Sequence, residues 1–384
     1  MLSKKFKNKN GITLVALVIT IIILLILATI SIQALTNTGL FAKAQEAKAK
    51  SQNAEENQAK TLNEYEDELN KYISGTAKET FKGTTVADAI KYADILNNDN
   101  NTELQDAYGN KIVVPAGFKI VSNSDTDNAT TVDKGIVIED ATTGATAGSQ
   151  FVWVPVGKIY TDTAKTNGST ATINLDRYTF DENGNPTAQG EKGIDSYYNE
   201  GTSNGNAVAK YINSFKTSVA TNGGYYIGRY EARKNSRGAI TEVGIDTVWN
   251  NISQSDAAIK SQNMYNSNKF TSDLMNSYAW DTATLFLQIC GTNATYSRQI
   301  RVSSTLSQTG TNIQSTKDVQ CNVYDLASNV YEWTTETFVD FKYPCVSRGG
   351  NYYDSSTYMS GRHSYSTSRD SGFDGFRPLL FVNV

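Results

Sequence analysis

Residues 12–35 read ITLVALVITIIILLILATISIQAL, an apolar run with no charge, no Gly and no Pro. At about 1.5 Å per residue it is long enough to cross a bilayer core. Ahead of it Lys4, Lys5, Lys7 and Lys9 crowd into MLSKKFKNKNG, a bias that holds that end in the cytoplasm and sends the remainder out. The expectation is a single-span protein of the cytoplasmic membrane, with the membrane itself as a partner and an extracellular C-terminal domain. Residues 41–73 are alanine-rich and charged, with Leu62, Tyr65, Leu69 and Tyr72 three and four apart, which predicts a helical stalk within 36–74. From residue 75 onward the pattern changes. Gly, Asn, Asp and Thr clusters interrupt short β-type runs at 111–115, 135–138 and 151–155, and helical spacing recurs at 86–96, 207–215 and 272–287. Residues 161–172 and 181–204 read as long polar loops. The fold class expected is α+β: a long N-terminal transmembrane and stalk helix, a connecting segment at 75–109, and an irregular, loop-rich domain at 110–384.

Composition narrows the chemistry. The net charge is −4 and basic residues are scattered beyond the N-terminus, so the chain lacks the cationic face that nucleic acid demands. Three cysteines, Cys290, Cys321 and Cys345, lack metal spacing, and an odd count leaves at least one thiol unpaired. One bridge can form but is not required. The single histidine, His363, excludes most zinc sites and most Ser-His-Asp arrangements.

The junction Lys9-Asn10-Gly11-Ile12-Thr13-Leu14 resembles the leader of type IV pilins and pseudopilins. That resemblance implies residues 1–11 as a leader, cleavage after Gly11 by a prepilin peptidase, Ile12 as the mature first residue, and pilin-like subunits as partners. The family's usual glutamate at the fifth mature position is Ala16 here, which points to a minor or tip pilin within a surface filament, or to a protein that only uses the export route. A plain signal anchor is the simpler alternative.

Further along, FVWVPVGK around Trp153, GGYYIGRYEA from Gly223, DTVWNNIS and NSYAWDTA around Trp249 and Trp280, Asp325-Leu-Ala-Ser-Asn-Val-Tyr-Glu-Trp333, Arg348-Gly-Gly-Asn-Tyr352 and Gly375-Phe-Arg377 follow in order. This order resembles the formylglycine-generating-enzyme-like version of the C-type lectin fold. The enzymes' catalytic cysteine pair, which would follow the Arg-Gly-Gly strand, is absent, so the resemblance implies a non-enzymatic head, with a divergent enzyme as the alternative. It also implies a candidate structural calcium held by Asp325 and Glu332 with the carbonyls of Ser328 and Val330. No other cofactor is implied.

The segment 351–374 is dominated by Tyr, Ser, Asp, Asn, Arg and Gly, the residue set of adaptable binding surfaces. It resembles the variable region of proteins diversified by diversity-generating retroelements, and the residue types fit adenine-directed mutagenesis. The candidate ligand-binding residues are Asn351, Tyr353, Asp354, Ser356, Tyr358, His363, Ser364, Tyr365, Asp370 and Asp374, facing an extracellular protein or carbohydrate. A fixed adhesin and a structural minor pilin are the competing readings.

Overall fold

The computed structural model describes residues 14–37, 48, 50, 51, 54, 58, 83–91, 100–121, 129–161, 169–190, 198–241 except 201, 204–205, 208 and 236–237, then 248–302, 305–306 and 318–384. The chain divides into two units, Met1–Glu79 and Thr80–Val384.

In the first unit the apolar run forms helix α1 (Leu14–Asn37). Within it Thr29 and Ser31 donate to the carbonyls of Leu25 and Leu27, each at 2.7 Å, the usual solution for Ser and Thr in a helix interior. The membrane expectation is corrected: no helix among the described residues is long and apolar enough to cross a membrane. The single-pass membrane localisation and the membrane as partner go with it. Nor is a long stalk helix present among the described residues, and 41–73 lies almost wholly outside them, as do Gly11 and Ile12.

The second unit is mainly β, which also corrects the balance expected between helix and sheet. Its framework strands are β1 (Phe118–Ile120), β2 (Val137–Asp140), β3 (Gln150–Pro155), β4 (Tyr198–Glu200), β5 (Gly224–Gly228), β6 (Phe270–Leu274), β7 (Tyr331–Phe338), β8 (Cys345–Arg348), β9 (Arg362–Tyr365), β10 (Asp374–Phe376) and β11 (Pro378–Val382). Helices α2 (Val86–Lys91), α3 (Ile212–Asn222), α4 (Gln254–Gln262) and α5 (Ser277–Cys290) complete it. A six-stranded sheet runs in the order β6-β11-β5-β3-β2-β1, so the closing strand sits between β6 and β5 and is buried along its whole length. Continuous apolar strands such as Pro378–Val382 suit that two-sided burial. The expected polar loops contain short antiparallel ladders instead, at Gly157–Tyr160 with Thr170–Ile173 and at Tyr178–Phe180 with Pro186–Ala188.

The core is aromatic, and several of its polar edges are bonded. Trp153, Trp280 and Trp333 are fully buried. Tyr225 donates to the Ala279 carbonyl at 2.6 Å, Tyr226 to Val113 at 2.8 Å, and Trp333 Nε1 to Ile252 at 2.8 Å. Burying such side chains stabilises by roughly 2–3 kcal/mol each, and the bonded hydroxyls avoid the cost of an orphaned polar group. Val86, Ala89 and Leu104 belong to the same core, so the unit closes well before residue 110. Asn276 caps α5, its Oδ1 accepting from Ala279 N at 2.9 Å, as N-cap chemistry favours.

The second sheet holds β4-β7-β8-β9 in antiparallel order, with β10 added parallel to β7. It carries the segment 351–374.

Candidate functional site

Alternation along β7 sends its side chains to opposite faces. On one face Glu336 of β7 meets Arg348 of β8 and Arg362 of β9, the two arginines being paired in register across β8 and β9. Asp281 of α5 completes a buried group of two arginines and two carboxylates. Arg348 Nη2 lies 2.5 Å from Asp281 Oδ1 and Nη1 lies 3.2 Å from Glu336 Oε2. Arg362 Nε lies 2.8 Å from Glu336 Oε1, and its Nη2 meets Asp281 Oδ2. Burial works against the Arg362 charge, and Asp281 with Glu336 more than offsets it, holding its pKa above the ordinary value.

This group closes the loop between β8 and β9. Arg348 Nε donates to the Gly361 carbonyl at 2.9 Å and Nη2 to Ser360 at 3.3 Å, so the residue that opens the loop also grips its end. At the start Gly349 takes φ 83°, and a Cβ on Gly350 would stand 2.2 Å from the Ala327 carbonyl oxygen. Both glycines of the Arg-Gly-Gly motif are thus required by backbone geometry. Within the loop Asn351 Oδ1 accepts from Tyr353 N at 2.8 Å and Asp354 N at 2.6 Å, and Asp354 Oδ1 accepts from Ser356 N and Oγ at 2.8 and 2.7 Å. Those Ser356 bonds, first of all, lower the Asp354 pKa. Met359 is buried beneath.

The opposite face and the loop present aromatic rings backed by arginines. Tyr353 is 73% exposed and rests 5.2 Å from the Phe373 ring, with Tyr352 5.3 Å from the same ring. Arg298 stacks 3.6 Å from the Tyr358 ring and Arg369 3.6 Å from Tyr365, within the range of a cation–π contact. His363 packs 4.5 Å from Tyr331. Burial, then Arg348 and Arg369, pushes the His363 pKa down to about 4, so the ring is neutral at pH 7. Arg301 donates to the Tyr353 carbonyl at 2.8 Å.

The structure separates the sequence candidates into two groups. Tyr353, Ser356, Tyr358 and Asp370 are exposed, and Asp354, His363, Ser364 and Tyr365 are half-buried around them. Asn351 and Asp374 are buried: Asn351 shapes the loop, and Asp374 takes the Arg369 Nε at 2.5 Å, its pKa raised by burial to about 6. Sequence reasoning missed Tyr331, Phe373, Arg298, Arg301, Arg362 and Arg369. Arg362 and Arg369 lay inside the inspected segment, but Arg298 and Arg301 come from the turn after α5 and had no local signal.

Of the residues implied for calcium, Glu332 is already engaged by an arginine. Both Glu332 carboxylate oxygens are occupied by Arg377, at 2.6 Å from Nη2 and 3.1 Å from Nε. The Ser328 hydroxyl donates to Asp318 at 2.8 Å, and among the described residues no group of three or more His, Cys, Asp or Glu side chains is arranged to hold a metal.

No protein-family profile matches the chain, and no curated protein matches it. Among solved structures it is similar to Treponema denticola variable protein 1, at 14% identity over 62% of this chain and 98% of that one, with a TM-score of 0.24. It is also similar to the protein CarF, at 15% identity over 42% of this chain and 87% of that one, with a TM-score of 0.30.

Proposed function

We propose that Thr80–Val384 is a recognition head that binds a ligand through the surface of loop 349–361, strand β9 and the following turn, with no catalytic step. The observation that carries this reading is the division of labour within one short segment. Arg348, Arg362, Asn351 and Met359 fix the backbone from below, while Tyr353, Ser356, Tyr358 and Asp370 stand on it with side chains that contribute little to the fold. Rigid aromatic side chains on a fixed scaffold lose little entropy on binding. Exposed residues that the fold does not need are free to vary, which suits a surface diversified between copies of the gene. The ligand class that fits stacked Tyr and Arg with adaptable Ser and Asp is a protein or carbohydrate surface.

The test is deep sequencing of codons 349–377 from one clonal population. Substitutions concentrated at Tyr353, Asp354, Ser356, Tyr358, His363, Ser364, Tyr365 and Asp370, and absent at Arg348, Asn351 and Arg362, are the expected result. An invariant segment ends the diversified reading and leaves a fixed binder. The binding itself is tested by display of a library randomised at Tyr353, Ser356, Tyr358 and Asp370 against lysozyme, and loss of folding across that library would overturn the surface assignment.

A further inference from the structure

Cys290 is the last residue of α5, and the helix end is docked onto the strand that precedes Cys321. Gln320 Oε1 accepts from Thr292 N at 2.7 Å and Asn293 N at 3.4 Å, satisfying backbone donors just beyond the helix. The next residue, Cys321, takes φ 44°, an uncommon conformation for a residue with a side chain. It packs directly against the turn at Val132–Lys134: its Sγ donates to the Asp133 carbonyl at 3.5 Å, and its own carbonyl oxygen lies where a Cβ on Gly135 would be 1.9 Å away. Cys290 faces the same turn, where Asp133 and Lys134 act on its thiol, and Cys290 in turn acts on the Cys321 thiol. Two thiols therefore converge on one three-residue turn. Cys345 sits apart from them on β8, in the second sheet.

We propose that Cys290 and Cys321 are a latent disulfide pair that, once oxidised, fastens the C-terminal end of α5 to the segment leading into β7. The chemistry is thiol–disulfide exchange with a small-molecule disulfide. One thiolate attacks the oxidant and forms a mixed disulfide while releasing one thiol. The second thiolate then displaces the other half. One protein S–S bond forms as the oxidant's S–S bond breaks, the two electrons pass to the oxidant, and the two protons of the protein thiols end on the two small-molecule thiols released. Burial, foremost, pushes the Cys290 thiol up to about 12 and also raises that of Cys321, so thiolate is scarce at neutral pH and exchange in the folded chain is slow and accelerates with pH. The bridge would hold the helix that carries Asp281, the carboxylate under the binding surface.

The experiment uses the full reduced chain with millimolar oxidised glutathione at pH 8.5, in the folded state and during refolding from denaturant. The expected result is loss of two of the three titratable thiols, a mass decrease of about 2 Da, and a single cross-linked peptide pair containing Cys290 and Cys321 that dithiothreitol releases. Cys345→Ser should still form it, whereas Cys290→Ser and Cys321→Ser should not. Retention of all three thiols under both conditions, glutathione adducts without a cross-link, or a bridge to Cys345 would each overturn the pairing.

Discussion

Arg348 of β8 and Asp281 of α5 are joined by a 2.5 Å ion pair in which both side chains are fully buried, and Arg362 meets the same carboxylate from β9. The charges balance within the group, with Glu336 as the second anion. Removing one member leaves an uncompensated charge without water. Asp281→Ala is expected to destabilise the head by about 3–5 kcal/mol, read from urea unfolding, and Arg362→Ala by a similar amount. A loss under about 1 kcal/mol for either would show that the group is not what fixes the loop.

Gly350→Ala should be nearly as damaging although it adds one methyl. The new Cβ would stand 2.2 Å from the Ala327 carbonyl oxygen, and the obstacle is backbone, which cannot rotate aside. A cost of about 3 kcal/mol or more is expected, measured as a fall in Tm, with Gly350→Ser no better.

Asp273 sets a pH dependence opposite to that of most carboxylates. Burial raises its pKa to about 7, although Gln262, Leu274 N and Tyr211 N donate to it. In the unfolded chain the group ionises near 3.9. Between about pH 4 and pH 7 the folded state therefore binds the extra proton, so the contribution is fully present below pH 4 and is lost as pH rises towards 7. Asp273→Asn should flatten that slope and gain on the order of a few kcal/mol over the parent protein at pH 8. An unchanged slope between pH 4 and 7 would refute it.

His363 supplies the contrary term. Its pKa falls to about 4 against about 6.5 unfolded, so its contribution is present above 6.5 and lost as pH drops from 6.5 towards 4. Because the chain has one histidine, its ring proton resonance follows this titration directly, and a midpoint near 6.5 would contradict the half-buried placement against Tyr331.

The framework was partly legible in the sequence because its signals are local. The β-type run at 151–155 became a central strand, and the Arg-Gly-Gly and Gly-Phe-Arg motifs flank the candidate surface. The partners of those arginines were not legible. Asp281 precedes Arg348 by a long stretch of chain, and only the packing of α5 beneath β8 joins them. The stretches read as polar loops form ladders because an alternation as short as Thr170–Ile173, exposed and buried by turns, carries too few apolar residues to register. At the N-terminus hydropathy and the lysine cluster suggested a membrane span, whereas no helix among the described residues is long and apolar enough for one.

Chelation should leave the head unmoved. With both Glu332 oxygens on Arg377, the carboxylate is already neutralised by a guanidinium, and the fork geometry satisfies it more completely than a partial set of hard-cation ligands could. Treatment with EDTA should shift Tm by less than about 1 °C, within the spread of repeated scans. A fall of several degrees that calcium restores would instead require Glu332 to leave Arg377.

The surface residues make the sharpest contrast with the buried clamp beneath them. Tyr353 projects into solvent and touches chiefly Phe373, and Tyr358 is supported chiefly by Arg298. Neither closes a cavity or satisfies a buried group, so Tyr353→Ala and Tyr358→Ala should each change stability by no more than about 0.5 kcal/mol. For a binder selected from the displayed library, reverting an aromatic gained at position 353 or 358 to Ala should weaken affinity at least about tenfold, as anchors at the centre of an interface do. Stability must hold while affinity falls. If instead both substitutions unfold the head, these rings belong to its core and the binding surface lies elsewhere.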